Sequence, residues 1–231
     1  MTEQNGVAAG PTSQTLERGI LVLRLLADSP DGMTTAQIAN ALGLHRTIVY
    51  RIVNTMAKYG LIGTGPDQRH VLGGGILELA RGVHRDLQAV ARAVLPDLAE
   101  QTLATANFAV PDGSEVLVLA VVEPKNASAH IAYQAGQRHP ITTGSAGLAI
   151  LAARRPAQDE RPEVVHARSR GYAVSHGEVI PGVIGVSMAV VDRHGEPIAS
   201  VGVTVFKDSD IDDRLIGALG SAAQRIAEGT L

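Results

Sequence analysis

Arg46, Thr47, Tyr50, Arg51, Asn54 and Lys58 crowd one short stretch, HRTIVYRIVNTMAK, and no Asp or Glu stands between Gly43 and Ile62. Solvated helix faces ordinarily mix both signs of charge, so an acid-free face needs a reason. At roughly 100° per residue, from about 3.6 residues per turn, Ile48, Val49, Ile52, Val53 and Met56 fall on one arc. Thr47, Arg51, Asn54 and Lys58 fall opposite, with Arg46 and Tyr50 to one side. The apolar arc predicts a packed inner face, and the outer arc is a set of hydrogen-bond donors. Arg can pair with guanine edges and Asn with adenine edges in a major groove, while Lys, Thr and Tyr can hold phosphates. A carboxylate on that face would be repelled by the phosphate charge. His45, directly before the helix, and Thr35, at the head of the preceding one, extend the set of candidate contacts.

A reading helix needs elements that present it. TTAQIANALGL predicts a short helix, with Thr34 or Thr35 as its cap and Gly43 as its stop. QTLERGILVLRLLA ahead of it repeats Leu16, Ile20, Leu23 and Leu26 at helical spacing. LIGTGPDQRHVL follows as two apolar runs around Gly-Pro-Asp, which predicts a hairpin. Three helices and then a hairpin is the order of a winged helix-turn-helix. Arg69 and His70 lie on the predicted wing, and Arg18 on the first helix could hold backbone phosphate. A solvated basic face on a small bundle is the plainer alternative; the short turn before the helix and the hairpin after it weigh against that. Gly73 to Gly75 lack the Lys and Ser/Thr of a phosphate loop, and are expected to be a hinge. Helix is expected from about Ile76, with Pro96 dividing a linker helix from the first helix of a second domain. The expected organisation is a flexible N-terminus over 1–13, a DNA-binding domain over 14–74, a linker helix over 75–95 and a second domain over 96–231.

The second half changes character. ATANFAVPDGSEVLVLAVVE predicts a hairpin, AHIAYQA a strand and TGSAGLAILAA a small-residue helix. EVVHARSRGY predicts a short helix, VIGVSMAVVD and IASVGVTVF two strands, and DIDDRLIGALGSAAQRIAEG a closing helix with acids at its start. The whole is expected to be α+β. With 45% hydrophobic residues the chain can bury a core, and with 3% aromatic residues and no Trp that core must be aliphatic. The absence of Cys excludes disulfides, thiolate metal sites and cysteine nucleophiles. No secretory pattern or membrane-length apolar run stands out, so a soluble cytoplasmic protein is expected. Residues 1–84 hold seven Lys+Arg against six Asp+Glu, and the remainder thirteen against seventeen, so any basic patch must be local.

LERGILVLRLLA, TTAQIANALGLHRTIVYRIVNTMAKYGLI and RHVLG resemble the DNA-binding half of IclR-type bacterial transcriptional regulators. DGSEVLVLAVVE, GQRHPITTGSAGLAILA and GYAVSHGEVIPGVIGVSMAVVDRHGEPIASVGVTV resemble, in order, that family's effector-binding domain. The resemblance implies a winged helix, a linker helix and a GAF-like ligand domain. It implies homodimers or dimers of dimers on palindromic operator DNA, tuned by a small-molecule effector such as an organic or aromatic acid. Carried over residue by residue, Gly144 and Ser145 would offer N–H groups at a helix start as a carboxylate cradle. Val183, Gly185, Gly202 and Thr204 would line the sheet side, with Phe108, Tyr133 and Ser187 as looser candidates.

The chain departs from that pattern at Ser175, where many members carry an acid, and at Gly185, Gly202 and Ala189, where Cys, Ser and Pro are frequent. These smaller groups imply a roomier, less polar pocket, suited to something larger than a two- or three-carbon acid. Two other function classes remain open to the sequence: a ligand-binding module whose helix-turn-helix makes only protein contacts, and a hydrolase. TGSAG echoes the nucleophile elbow G-x-S-x-G, but Thr143 replaces its first glycine. His130, His139, His166, His176 and His194 show no metal-ligand spacing. Neither an enzyme nor a cofactor is expected.

Overall fold

The structure, a computed structural model, describes residues 11–126, 131, 133–206 and 211–230. The expected frayed terminus over 1–13 falls mostly outside the described residues, as do His130 and parts of the strand expected over 129–135. Ile131 and Tyr133 within that stretch are buried but not in a strand. Compact packing divides the chain into two units, at Val83 and His84. No helix among the described residues is long and apolar enough to cross a membrane.

The first unit runs α1 (Gln14–Ala27), α2 (Thr35–Ala41), α3 (Arg46–Lys58), β1 (Ile62–Thr64), β2 (His70–Leu72) and α4 (Gly75–Ala80). Thr34, not Thr35, caps α2: its hydroxyl accepts from Gln37 N at 3.3 Å while Gln37 Oε1 accepts from Thr34 N at 2.9 Å. That reciprocal pair satisfies two donors a helix start would leave unmet. Gly43, at φ +62°, makes the left-handed step between α2 and α3. Val22, Leu26, Ile38, Val49, Ile52, Val53 and Ile62 form the core. On α1 the buried stripe is Gly19, Val22 and Leu26, whereas Leu16 and Ile20 stay exposed. At Gly19 a Cβ would come within 2.5 Å of Met56 Cε, so α1 lies close to α3 along this stripe. β1 and β2 pair antiparallel as the wing.

Two junction expectations are corrected. Pro96 ends no helix: α5 (Arg85–Thr102) runs through it. Proline removes one ladder N–H, but Val94 and Leu95 before it and Leu98 and Ala99 after it are all buried, so the apolar stripe holds the helix on both sides. The helical run breaks instead between α4 and α5, where His84 takes a left-handed φ of 43°. The Gly73–Gly75 run is not a hinge either. A Cβ on Gly73 would run into Gly60 O and one on Gly75 would lie 2.9 Å from it, and Gly75 N donates to Gly60 O at 2.9 Å. These glycines serve close approach rather than φ freedom.

The second unit is a six-stranded antiparallel sheet in the order β5-β4-β3-β8-β7-β6. Its strands are β3 (Thr105–Asp112), β4 (Glu115–Val122), β5 (Arg138–Pro140), β6 (Ala173–His176), β7 (Val183–Val191) and β8 (Pro197–Phe206). The short edge strands β5 and β6 were not expected. Helices α5 and α8 (Asp213–Gly229) cover one face, over Ala106, Phe108, Val186, Val201 and Val203. Helix α6 (Gly144–Ala153) covers the other, with α7 (Pro162–Arg170) packed against it. Asp212 caps α8, accepting from Leu215 N at 2.9 Å.

Candidate nucleic-acid interface and ligand pocket

On α3 the packing sorts the side chains as the helical period requires. Val49, Ile52 and Val53 are buried, while Arg46, Thr47, Tyr50, Arg51, Asn54 and Lys58 are all exposed. The helix start is fixed by His45, whose Nδ1 accepts from Thr47 N at 3.3 Å. His45 thus has a capping role in addition to the contact expected of it. Thr47 and Arg51 share a groove of about 610 Å³ with Arg18, Leu16 and Thr55, between α1 and α3. Arg18 therefore stands beside the reading helix although it belongs to another element.

The wing residues are tied down. Arg69 Nη1 donates to Gly32 O at 2.9 Å, and His70 Nε2 lies 2.9 Å from Thr35 Oγ1. Met33 and His70 exchange backbone hydrogen bonds of 3.0 and 2.8 Å. These contacts join the wing to the loop before α2 and to the first residue of α2. Burial lowers the His70 pKa below its usual value, and its buried Nδ1 has no hydrogen-bond partner among the described residues. Thr35 is half-buried and its hydroxyl is engaged with that ring.

The second unit holds a small pocket between the start of α6 and the sheet, with a volume of about 30 Å³. Among the residues anticipated for it, Tyr133, Gly144, Ser145, Ser175, Val183, Gly185 and Thr204 line it. Phe108 does not. It points into the core under α5 and α8, because side chains alternate along β3 and its neighbour Asn107 takes the pocket face. Ser187 and Gly202 lie behind the wall: Ser187 Oγ is 2.8 Å from Ser145 Oγ, and a Cβ on Gly202 would meet Ser187 Oγ.

The roomier, less polar pocket is also corrected. The space that Gly185 releases is taken by hydroxyls, since a Cβ there would lie 2.5 Å from Ser145 Oγ and 3.1 Å from Ser175 Oγ. At Gly202 it is taken by Ser187 and by Asn107 Oδ1, 3.1 Å from a built Cβ. The result is tight and polar, with room for about two waters. Asn107 Nδ2 donates to Thr204 Oγ1 at 3.3 Å, and Tyr133 OH lies 3.3 Å from His139 Nε2. Burial pushes the Tyr133 hydroxyl up to about 12, so it stays a donor.

The α6 cradle is filled from within the chain. Gly144 N donates to Glu178 Oε2 at 2.8 Å and Ser145 N donates to Ser175 Oγ at 2.9 Å. Arg161 Nη2 and Nη1 donate to the same Glu178 carboxylate at 3.0 and 3.3 Å. Burial alone would push the Glu178 carboxyl up, but Arg161 and the Gly144 N–H together hold it below the usual carboxylate range. Glu178, Arg161, Asn107 and His139 were missed in the sequence. Only Asn107 carried a signal there, as a polar residue inside an otherwise apolar strand. Among the described residues no histidine hydrogen-bonds Ser145, so the TGSAG echo lacks a base.

Comparison with known proteins bears on both units. The IclR helix-turn-helix domain model matches residues 15–66, and the model of the bacterial transcriptional regulator IclR C-terminal domain matches residues 81–163. The transcriptional repressor IclR of Escherichia coli is 23% identical, over 90% of this chain and 87% of its own. The glycerol operon regulatory protein of Streptomyces coelicolor is 24% identical, over 93% of this chain and 95% of its own. Among solved structures, an IclR homolog from Microbacterium hydrocarbonoxydans complexed with 4-hydroxybenzoate superposes with a TM-score of 0.79 at 21% identity, covering 94% of this chain and 99% of that one. A regulator from Alicyclobacillus acidocaldarius superposes with a TM-score of 0.77 at 23% identity, covering 96% and 100%.

Proposed function

The chain belongs to the IclR family of bacterial transcriptional regulators, with an N-terminal DNA-binding helix-turn-helix, and from that premise we propose that a homo-oligomer reads a palindromic operator under the control of a small organic acid. DNA binding is assigned to the unit that ends at Val83 and effector binding to the unit from His84. The protein acts in the cytoplasm, where its operator is. Two copies of α3 enter the major groove at half-sites about one helical turn apart, or a multiple of it. The observation that carries this reading is the outer face of α3: six exposed hydrogen-bonding side chains with no carboxylate among them, on a helix fixed by its own cap. Arg46, Thr47, Tyr50 and Arg51 carry most of the groove and phosphate contacts. Thr35, His45, Asn54, Lys58, Arg18 and Arg69 support them from the flanks. The Microbacterium relative, solved with 4-hydroxybenzoate, supports control by an acid.

Fluorescence anisotropy on DNA fragments selected by the protein from genomic DNA tests this. Affinity falls steeply with salt, because each phosphate contact releases counterions. Replacing Arg51 by Ala weakens binding by about ten-fold or more, the size expected for one groove contact. Unchanged affinity removes Arg51 from the interface. Selection of no DNA, or binding indifferent to salt, favours the alternative of a ligand-binding module without DNA contacts.

A further inference from the structure

The start of α6 already holds a carboxylate, and it is the chain's own. Glu178 takes the Gly144 N–H at 2.8 Å and is gripped by both terminal nitrogens of Arg161, at 3.0 and 3.3 Å. It stands in the loop between β6 and β7, whose end glycines Gly177 and Gly182 have φ of 65° and 82°. The next residue seals the contact: a Cβ on Gly144 would lie 2.6 Å from Val179 Cγ2. Behind this loop the pocket offers neutral groups that donate and accept, the hydroxyls of Ser145, Ser175 and Thr204 and the Asn107 amide. Its volume of about 30 Å³ is too small for an organic acid while the loop stays down.

Resting on the reading of this unit as the effector domain, we propose that Glu178 is a resident stand-in for the effector's carboxylate and the residue that sets how tightly the site binds acids. The effector is a small carboxylic acid. Its carboxylate takes the Gly144 N–H, Glu178 moves outward, and the 177–182 loop lifts from α6. Exchange is required rather than addition. A second carboxylate entering beside Glu178 would meet like charge, and the guanidinium at hand, Arg161, is already engaged by Glu178. The guanidinium that would serve either carboxylate is Arg161, from the turn before α7. A polar tail on the acid, such as a hydroxyl or keto oxygen, meets the serine and threonine hydroxyls behind. Glu178 thereby acts as an internal competitor, so apparent affinity is reduced by the fraction of molecules in which it is seated.

The test is calorimetric titration of the full chain and its variants with matched probes. The acids are L-lactate, pyruvate and 4-hydroxybenzoate; the neutral counterparts are propane-1,2-diol and 4-hydroxybenzyl alcohol. Glu178→Gln keeps the shape and an acceptor for Gly144 N–H but removes the charge. It is expected to tighten binding of at least one acid by roughly ten-fold and to leave the neutral probes unmoved. Glu178→Asp, one methylene shorter and still charged, is expected to tighten the same acid by a smaller factor, and serves if the Gln variant does not fold. Acids that bind wild type and both variants equally overturn the proposal and leave the effector reading standing. So does binding of the neutral probes alone. Binding of no probe of either kind, to any of the three proteins, overturns the proposal together with the organic-acid effector.

Discussion

Single residues divide into those whose role is local and those whose role is set by distant partners. Arg46 to Lys58 were legible because one helix repeats every 3.6 residues, and an acid-free face needs no tertiary knowledge to be seen. Glu178 was not legible, because its partners Gly144 and Arg161 lie 34 and 17 residues away. The pocket volume misled for a related reason. Glycines at 185 and 202 suggested space, yet the space belongs to hydroxyls that arrive from α6, β6 and β7. His70 shows the same dependence on distant partners and gives a prediction with a definite sign. Burial lowers its folded pKa below 6.5, so the folded ring resists protonation more than the unfolded one. Its contribution is fully present above 6.5 and is lost as pH falls below that value. Hydrogen exchange at the Met33 and His70 amides, corrected for the intrinsic pH dependence, should therefore show more frequent opening at pH 5.5 than at pH 7.5. In His70→Gln that excess should vanish; an excess that persists assigns the opening to another group.

Among the elements, order was easier to read than junctions. The helix-helix-helix-wing sequence and the paired strands β3–β4 and β7–β8 announce themselves through period and turn chemistry. Edge strands β5 and β6 are three and four residues long, too short to show an alternation. Pro96 and the Gly73–Gly75 run are strong local punctuation, and both were overruled by packing. The glycine run makes the point testable. Gly73 lies against the Gly60 carbonyl, whereas Gly74 has nothing within 4 Å of a built Cβ and sits in the helical region at φ −60°. Close approach predicts that Gly73→Ala costs about 1–3 kcal/mol, as overpacking against backbone does. Gly74→Ala should be neutral or stabilise by up to about 1 kcal/mol, by narrowing the unfolded ensemble. Chemical denaturation of the full chain, following the transition of the first unit, separates the two. A flexible hinge would instead make the two substitutions alike in stability and would show its cost in operator affinity.

For the whole molecule, the proposed function requires that two separately packed units share one free energy. Each unit has its own aliphatic core. Neither core alone gives a reason for an acid bound beside α6 to alter an affinity set by α3. If the effector changes operator affinity by some factor, linkage obliges the operator to change effector affinity by the same factor, whatever path the coupling takes. Typical couplings lie between about 5-fold and 150-fold, well within the reach of titration. The measurement is a closed cycle: effector affinity of the free protein and of the operator-bound protein, and operator affinity with and without saturating effector. A common ratio different from one establishes that the bound acid and the bound DNA are coupled, and a ratio of one means that the two units act independently. The Glu178→Gln variant adds a second constraint to the cycle. If Glu178 only competes for the cradle, the variant should bind the acid more tightly in both the free and the DNA-bound protein by one common factor, leaving the coupling ratio unchanged. A changed ratio would mean that the seated Glu178 is itself part of the state the operator prefers, and that the loop it latches carries signal as well as setting affinity.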